Sequence, residues 1–438
     1  MSDNLPEAVI AEILYKLPTK CLLKCTSVCK SWYFVIKSCN FISTHLIKTL
    51  SSNKTPQFLI HNRCFLPEPE VEYSPEAEVP YFSECEFQYS LHFDNKEFKQ
   101  YMPLHFPFKQ FRVAGSCNGL VCLVCGTHSG SVNELSQLIL WNPSIGKFLN
   151  LPKPNFMHDY SKNYYGFDDG LFGFGFDSRT HDYRVLRIMT SQTTSNIAPE
   201  IKAELYSLNA DCWEDITQIT PKYYWIEDEL SVPAFVNGAL HFFVIPQIEG
   251  NNSAKSLIVA FDVKDKVFRE IVLPECLSIQ HASYLSYLSL KVYKKSSIAI
   301  VCTDLNNQQY QSIWLMKEYG VIGSWVKLAM VGGIPRVLGF RDDGEILVQF
   351  SHGPIVSSQN VETELIKNLV TLSGCPAYHA VYAHSYLESL ALLDRGNVLC
   401  KVNEDTRFPT DTTGQSEVKQ AKTCNCVLQD LESMGHSF

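Results

Sequence analysis

Residues 5–46 read LPEAVIAEILYKLPTKCLLKCTSVCKSWYFVIKSCNFISTHL, and the spacing of their apolar side chains decides how the chain begins to fold. Leu5, Val9, Ile10, Ile13, Leu14 and Leu17 fall on one face of a 3.6-residue period, which predicts an amphipathic helix over residues 6 to 15 or 17. Asp3 or Asn4 caps it, Pro6 suits its first turn because the missing N–H costs nothing there, and Pro18 stops it. Thr19 caps a second helical pattern with Leu22, Cys25, Cys29 and Trp32 along one face and Leu23 and Val28 on its flanks. A third short helix, and a fourth after Asn40 carrying Phe41, Ile42 and Leu46, complete the unit.

Roughly forty residues cannot bury that much apolar surface alone, so part of it needs a partner. The ordered pattern LPxxVIxEILxKLPxKxLLKCxxVCKSW resembles the F-box, a helical module that docks on the adaptor Skp1 of a cullin-RING ubiquitin ligase. The resemblance implies adaptor binding through Leu5, Pro6, Ile13, Leu14, Leu17, Pro18, Leu22, Leu23, Val28, Cys29 and Trp32, with Lys30 completing the pattern.

The 438 residues suffice for a small and a large domain, and a hydrophobic fraction of 45% is that of a soluble globular protein. Apolar runs stay short of the about 18 residues that would span a membrane, and the opening MSDNLPE lacks the basic and apolar regions of a secretory signal. The expected compartment is cytosol or nucleus. A net charge of -9 argues against wholesale nucleic-acid binding, which calls for a concentrated basic face. Sixteen cysteines without a signal peptide read as reduced thiols. Cys21, Cys25 and Cys29 cannot converge on a tetrahedral metal from one helix, and the Cys122/Cys125 pair has no second pair to complete a zinc site, so neither metal nor cofactor is expected.

After residue 55 the pattern changes to short runs rich in β-branched and aromatic residues, separated by turns. QFLIHNRC (57–64) is a first strand. Related segments then recur: GSCNGLVCLVC with LILWNPSIGKFLNLP, GFGFDSRTHDYRVLRI with AELYSLNADCWEDI, PAFVNGALHFFV with SLIVAFDVKDKVFREIVLP, and weaker copies onward to YHAVYAHSYLESLAL. Aligned on Phe148, Trp213, Phe268 and Trp325, the copies lie 65, 55 and 57 residues apart. Asn118-Gly119 and Asn237-Gly238 suit type I′ hairpins, and Asp343-Gly344 is read the same way. Repeated antiparallel sheets without helices between them predict a β-propeller of about six blades, closed by strand 57–64 pairing within residues 378–393. The expected class is therefore α+β and multidomain: helices over 1–50, an all-β propeller over 56–405, and a polar, flexible tail over 406–438. WNPSIGKFLNLP, GFGFDSRTHDYRVLRI and YAHSYLESLALL resemble the F-box-associated interaction domain of plant F-box proteins, loosely called kelch-like; the diglycine of true kelch blades occurs only at Gly332-Gly333.

Catalytic motifs are not found. GSCNG (115–119) has the outline of a nucleophile elbow, but Asn-Gly turns strand into strand where an elbow needs a helix, and FGFGFD lacks a phosphate loop's lysine. His241 and His384 lie in apolar strands and read as core or edge histidines. The resemblance implies a non-catalytic substrate receptor that brings a protein target to a Skp1–cullin ligase, in regulation of plant defence or, alternatively, in recognition of pistil ribonucleases as S-locus F-box proteins do; a glycan-binding propeller and a propeller hydrolase are the readings from other classes. Two kinds of stretch are candidates for target contact. One is the Lys- and Arg-free acidic insertion of residues 64–95 with Glu70 and Glu72, and the other is the aromatic loops holding Tyr160, Tyr164 and Tyr165 and Tyr223, Tyr224 and Trp225.

Overall fold

The computed structural model describes residues 6–51, 57–67, 82–104, 111–125, 137–156, 170–190, 200–225, 232–246, 256–277, 288–304, 309–333, 335–351, 353–372 and 378–395. Four helices open the chain: α1 (Glu7–Leu14), α2 (Thr19–Cys25), α3 (Lys30–Lys37) and α4 (Cys39–Leu50). Their boundaries correct three sequence expectations. Pro18, extended at ψ 153°, is the cap of α2, and Thr19 is already helical and buried. The face drawn from Leu22 to Trp32 is cut, because Thr26 Oγ1 donates to Leu23 O at 2.6 Å as α2 ends and Cys29 turns extended. Cys29 Sγ then caps α3 by accepting from the Trp32 N–H at 3.5 Å. α4 starts ahead of Asn40, where Ser38 Oγ accepts from the Phe41 N–H at 3.2 Å. Asp3 and Asn4 lie outside the described residues, and among the described residues no side chain caps α1.

The rest is a six-bladed β-propeller. Blade 1 pairs Tyr378–Tyr386, Gln57–Pro67, Phe82–Phe93 and Gln100–Leu104, in that order from the centre outward. Blade 2 holds Phe111–Cys117, Leu120–Cys125, Leu138–Asn142 and Lys147–Asn150; blade 3 holds Leu171–Asp177, Asp182–Thr190, Ile201–Ser207 and Cys212–Asp215. In blade 4, Ala234–Val236 and Tyr223–Trp225 both pair with Ala239–Pro246, followed by Leu257–Asp262 and Val267–Val272. Blade 5 holds Leu288–Tyr293, Ser297–Thr303, Tyr310–Met316 and Trp325–Gly332; blade 6 holds Pro335–Phe340, Ile346–Phe350, Ile355–Gln359 and Ile366–Thr371. The aromatics used to align the repeats, Phe148, Trp213, Phe268 and Trp325, each fall on the outermost strand of their blade.

The core lies between blades. Leu120, Cys122 and Val124 pack toward Phe172, Phe174 and Tyr183 of blade 3, while Val121 and Leu123 of the same strand pack toward Leu59, Tyr89 and Leu91 of blade 1. A strand covered on both faces reads as an unbroken apolar run, which is why GLVCLVC shows no alternation. Asn118 and Asn237 take φ of 49° and 52°, with Gly119 and Gly238 at 84° and 78°, as type I′ turns require. Asp343 does not join them: only Gly344 is left-handed, at φ 93°, and its N–H closes a turn on Arg341 O at 3.0 Å. Two further readings are corrected. Part of the acidic insertion is strand, because FSECEFQYSLHF alternates with period two and Phe82–Phe93 pairs along Gln57–Pro67. Tyr223–Trp225 is a strand rather than a loop, paired with residues Val244 to Pro246. The tail 406–438 and residues 68–81 lie outside the described residues.

Closure follows the expectation from residues 57–64, with Gln57 opposite Tyr386 and Phe65 opposite Tyr378. The segment beyond it, residues 387–395, straps the underside of the ring. Asn142 Nδ2 donates to Ser389 O at 3.0 Å and Ala391 O at 2.8 Å, Lys147 Nζ donates to Arg395 O at 2.8 Å, and Arg395 donates to Leu208 O at 2.9 Å. Gly119 lies against this strap, so that a Cβ there would stand 2.6 Å from Leu387 O, whereas one at Gly238 would meet nothing within 4 Å. Both sites carry the left-handed penalty of about 1 kcal/mol. Gly119→Ala adds overpacking of about 1–3 kcal/mol. Denaturant unfolding should show Gly119→Ala destabilised at least twice as much as Gly238→Ala; equal shifts would mean that the strap yields freely.

Candidate adaptor face and central channel

The helices do not form a free-standing unit. Ile10, Leu14, Leu22, Val35, Ile36 and Phe41 share one core with Leu390 and Leu393 of the strap, and Ile145 of blade 2 packs against it. Tyr15 stacks on Phe41 with centroids 4.5 Å apart, and Lys48 of α4 joins α1 through Glu12 at 3.0 Å while lying over the Tyr15 ring. Of the residues assigned to adaptor binding, Leu14 and Leu22 are fully buried. Leu17, Leu23, Cys29 and Trp32 are half-buried, whereas Pro6, Ile13, Pro18 and Val28 are exposed; Leu5 lies outside the described residues. Large apolar side chains left in water include Val9 at 44%, Ile13 at 49%, Val28 at 60% and Phe34 at 69% exposure, with Tyr33, Ile47 and Leu50 exposed as well. Val9 and Ile13, four residues apart in α1, share a face. Phe34 was missed in the sequence, although the run WYFVI on a short helix must turn some of its apolar side chains outward.

The inner strands of all six blades surround a channel with a cavity of about 390 Å³, which Thr49 and Leu50 of α4 also line. Its lining holds Lys291, Lys294, Lys295, Arg336 and Arg341, against one carboxylate among the described residues, Asp342. A hydrolase would need two converging carboxylates there. Arg341 is held by Asp94 at 2.7 Å and Glu345 at 2.8 Å, a buried clamp between blades 6 and 1. Cys117, the candidate elbow nucleophile, is buried beside its Asn-Gly turn, and burial pushes its thiol far up, which disfavours the thiolate a nucleophile needs. Burial also pushes the Glu204 carboxyl up while Arg187, at 2.9 Å, draws it down. Among the proposed target contacts, Glu70, Glu72, Tyr160, Tyr164 and Tyr165 lie outside the described residues. The Tyr223 hydroxyl donates to the Glu270 carboxylate, and burial with that contact raises its pKa. Tyr224 and Trp225 stand opposite Ile245 and Val244 in the blade 4 register.

Residues 83–375 match the F-box-associated beta propeller domain family, and residues 2–44 match the F-box domain. The chain belongs to the F-box-associated propeller family. Relatives in Arabidopsis thaliana include an F-box protein 26% identical over 81% of this chain and 85% of its own length, and an F-box/kelch-repeat protein 25% identical over 80% and 86%. The F-box protein CPR1 is 23% identical over 90% of both chains.

Within this F-box-associated propeller two histidines, His241 in the second strand of blade 4 and the channel-lining His384, make stability depend on pH. His241 is fully buried, its Nδ1 at 2.9 Å from Ala234 O and its Nε2 at 2.7 Å from Tyr319 Oη; burial lowers its pKa from 6.5 to about 4. Burial, and then nearby Lys291, lowers His384 to about 3. Both folded-state values lie below the unfolded one, so the stabilisation is complete above pH 6.5 and is lost as the pH falls toward 4. The His241 share amounts to about 3 kcal/mol at one pKa unit per 1.36 kcal/mol. His241→Gln should flatten the fall in unfolding free energy between neutral and acid pH; an unchanged slope would show that His241 does not drive it.

Proposed function

We propose that this chain is the target-recruiting subunit of a Skp1–cullin–F-box ubiquitin ligase. The observation that carries the reading is an F-box whose outer face leaves Val9, Ile13, Val28 and Phe34 in water while its inner core is shared with the propeller strap. Pro6, Ile13, Pro18 and Val28 contact the adaptor directly, together with the outer edges of Leu17, Leu23, Cys29 and Trp32. Leu14 and Leu22 shape that face from inside. The ligase's chemistry, ubiquitin transfer to a target lysine, belongs to other subunits, and this chain supplies proximity by holding the acceptor at high effective concentration. The described cysteines are all free thiols, in keeping with a cytosolic or nuclear setting. Between the two plant groups that the sequence resembles, MSDNLPEAVIAEIL favours regulators of immune receptors over S-locus proteins.

The test is co-purification of the full chain with a Skp1-type adaptor. Ile13 is half exposed, so Ile13→Asp should leave the melting temperature unchanged while placing a charge in an apolar interface and reducing retained adaptor at least about tenfold. Leu14→Asp, by contrast, should unfold the helices. Adaptor retention at the wild-type level with Ile13→Asp contradicts the assignment. In the expected case, mass spectrometry of the other proteins retained identifies the targets.

A further inference from the structure

The channel concentrates positive charge in a chain whose net charge is -9. Arg341 is already neutralised by Asp94 and Glu345; Lys294, Lys295 and Arg336 also line the cavity, with Lys291 beside them and Asp342 as the one lining carboxylate among the described residues. These four run along the channel rather than around one rim. Arg336 stands near the start of its inner strand, Lys291 is within the inner strand of the neighbouring blade, and the lysine pair sits at the turn that follows. The Arg336 guanidinium lies 4.6 Å over the Tyr382 ring, with no carboxylate partner among the described residues. Lys294 and Lys295 are exposed and make no ion pair among the described residues.

The backbone beneath the lysine pair is strained. After their inner strands, blades 2 and 4 turn with Asn-Gly, for which left-handed φ is cheap. Blade 5 turns there with Lys294 at φ 44° and Lys295 at φ 62°, although lysine gains no local hydrogen bond from that conformation. Strain kept where the neighbouring blade uses a cheaper residue pair at the same turn points to a role for the side chains. A neutral donor stands beside them: His384 lines the cavity, and its buried Nε2 has no partner among the described residues.

We infer that the channel receives an acidic or phosphorylated peptide segment of the captured target, whose oxyanions sit among Lys294, Lys295 and Arg336 and accept from His384. The occupant's identity as a target segment rests on the receptor reading above. A cavity of about 390 Å³ has room for a short peptide stretch and none for a folded domain. Thr49 and Leu50 of α4 line it as well, which places the bound segment against the helical side of the ring.

The full chain with its Skp1-type adaptor is passed over immobilised degenerate nonapeptide libraries with phosphoserine, aspartate or serine fixed at the centre. Retention on the phosphoserine or aspartate library should exceed that on serine at least about tenfold and fall as salt rises. K294N/K295G removes two charges and relieves the strained turn. It should melt at or above the wild-type temperature yet lose the preference, so that loss of binding is not loss of fold; Arg336→Gln should lose it as well. Equal retention on all libraries overturns the proposal, as does a preference that survives K294N/K295G. Displacement by inorganic pyrophosphate with no peptide preference also overturns it and assigns the channel to a small polyanion. The adaptor is read in the same runs: adaptor retained without peptide preference defeats this inference alone, while a wild-type chain that retains no adaptor defeats the ligase reading.

Discussion

The pairing of Tyr378–Tyr386 with Gln57–Pro67 is the constraint on which the rest depends. Without it Gln57–Pro67 would be an unpaired edge of blade 1, and the facing apolar sides of blades 1 and 6 would stand in water. Closure seats Phe58, Ile60 and Val381 against Leu338, Leu347 and Val356, and Arg341 then clamps Asp94 across the same seam. This seam lies at the border of the matched family domain: residues 83–375 hold blades 2 to 6 and the outer part of blade 1, while the two strands that complete the ring lie on either side.

The closing strand also places the helices. Tyr386 Oη lies 2.6 Å from Ser144 Oγ, and the chain continues at once into the strap that Asn142 holds through Ser389 and Ala391. Leu390 and Leu393 then enter the helical core. Burying a leucine fully contributes about 1.5–3 kcal/mol, so these two side chains give the helices a substantial reason to stay on the ring. A rigid seat matters for the recruiting role proposed above, which acts by proximity. Each freely rotating linkage between adaptor and target dilutes the effective concentration of the acceptor, and a shared core removes one such linkage.

How far this was legible in the sequence depended on which physical signal each part carries. The F-box and the outer-strand aromatics were readable because spacing alone fixes them, as Phe148, Trp213, Phe268 and Trp325 show. Asn118-Gly119 and Asn237-Gly238 were readable because few residue pairs accept two positive φ values. Lys294-Lys295 was not, since a lysine in that conformation runs against its own preference and no local rule anticipates it. The strand Phe82–Phe93 was hidden by its glutamates, which made composition outweigh an alternation that was present. Nothing in the run LESLALL separates a strap that feeds a second core from an ordinary strand end; only the positions of Leu390 and Leu393 against α1 and α3 decide it.

The shared core bears on what counts as a module here. Sequence matching divides the chain into an F-box and a propeller, and the channel and the adaptor face are separate surfaces. Yet removing the helices would uncover Leu390 and Leu393 and leave Ile145 without its cover, while removing the strap would open the helical core on one side. Each part therefore completes the other's burial, as two halves of one interface do. The same strap lies against Gly119, whose turn also lines the channel mouth through Asn118. A disturbance at the helices thus has a short physical route to the channel, by way of the strap and the blade 2 turn.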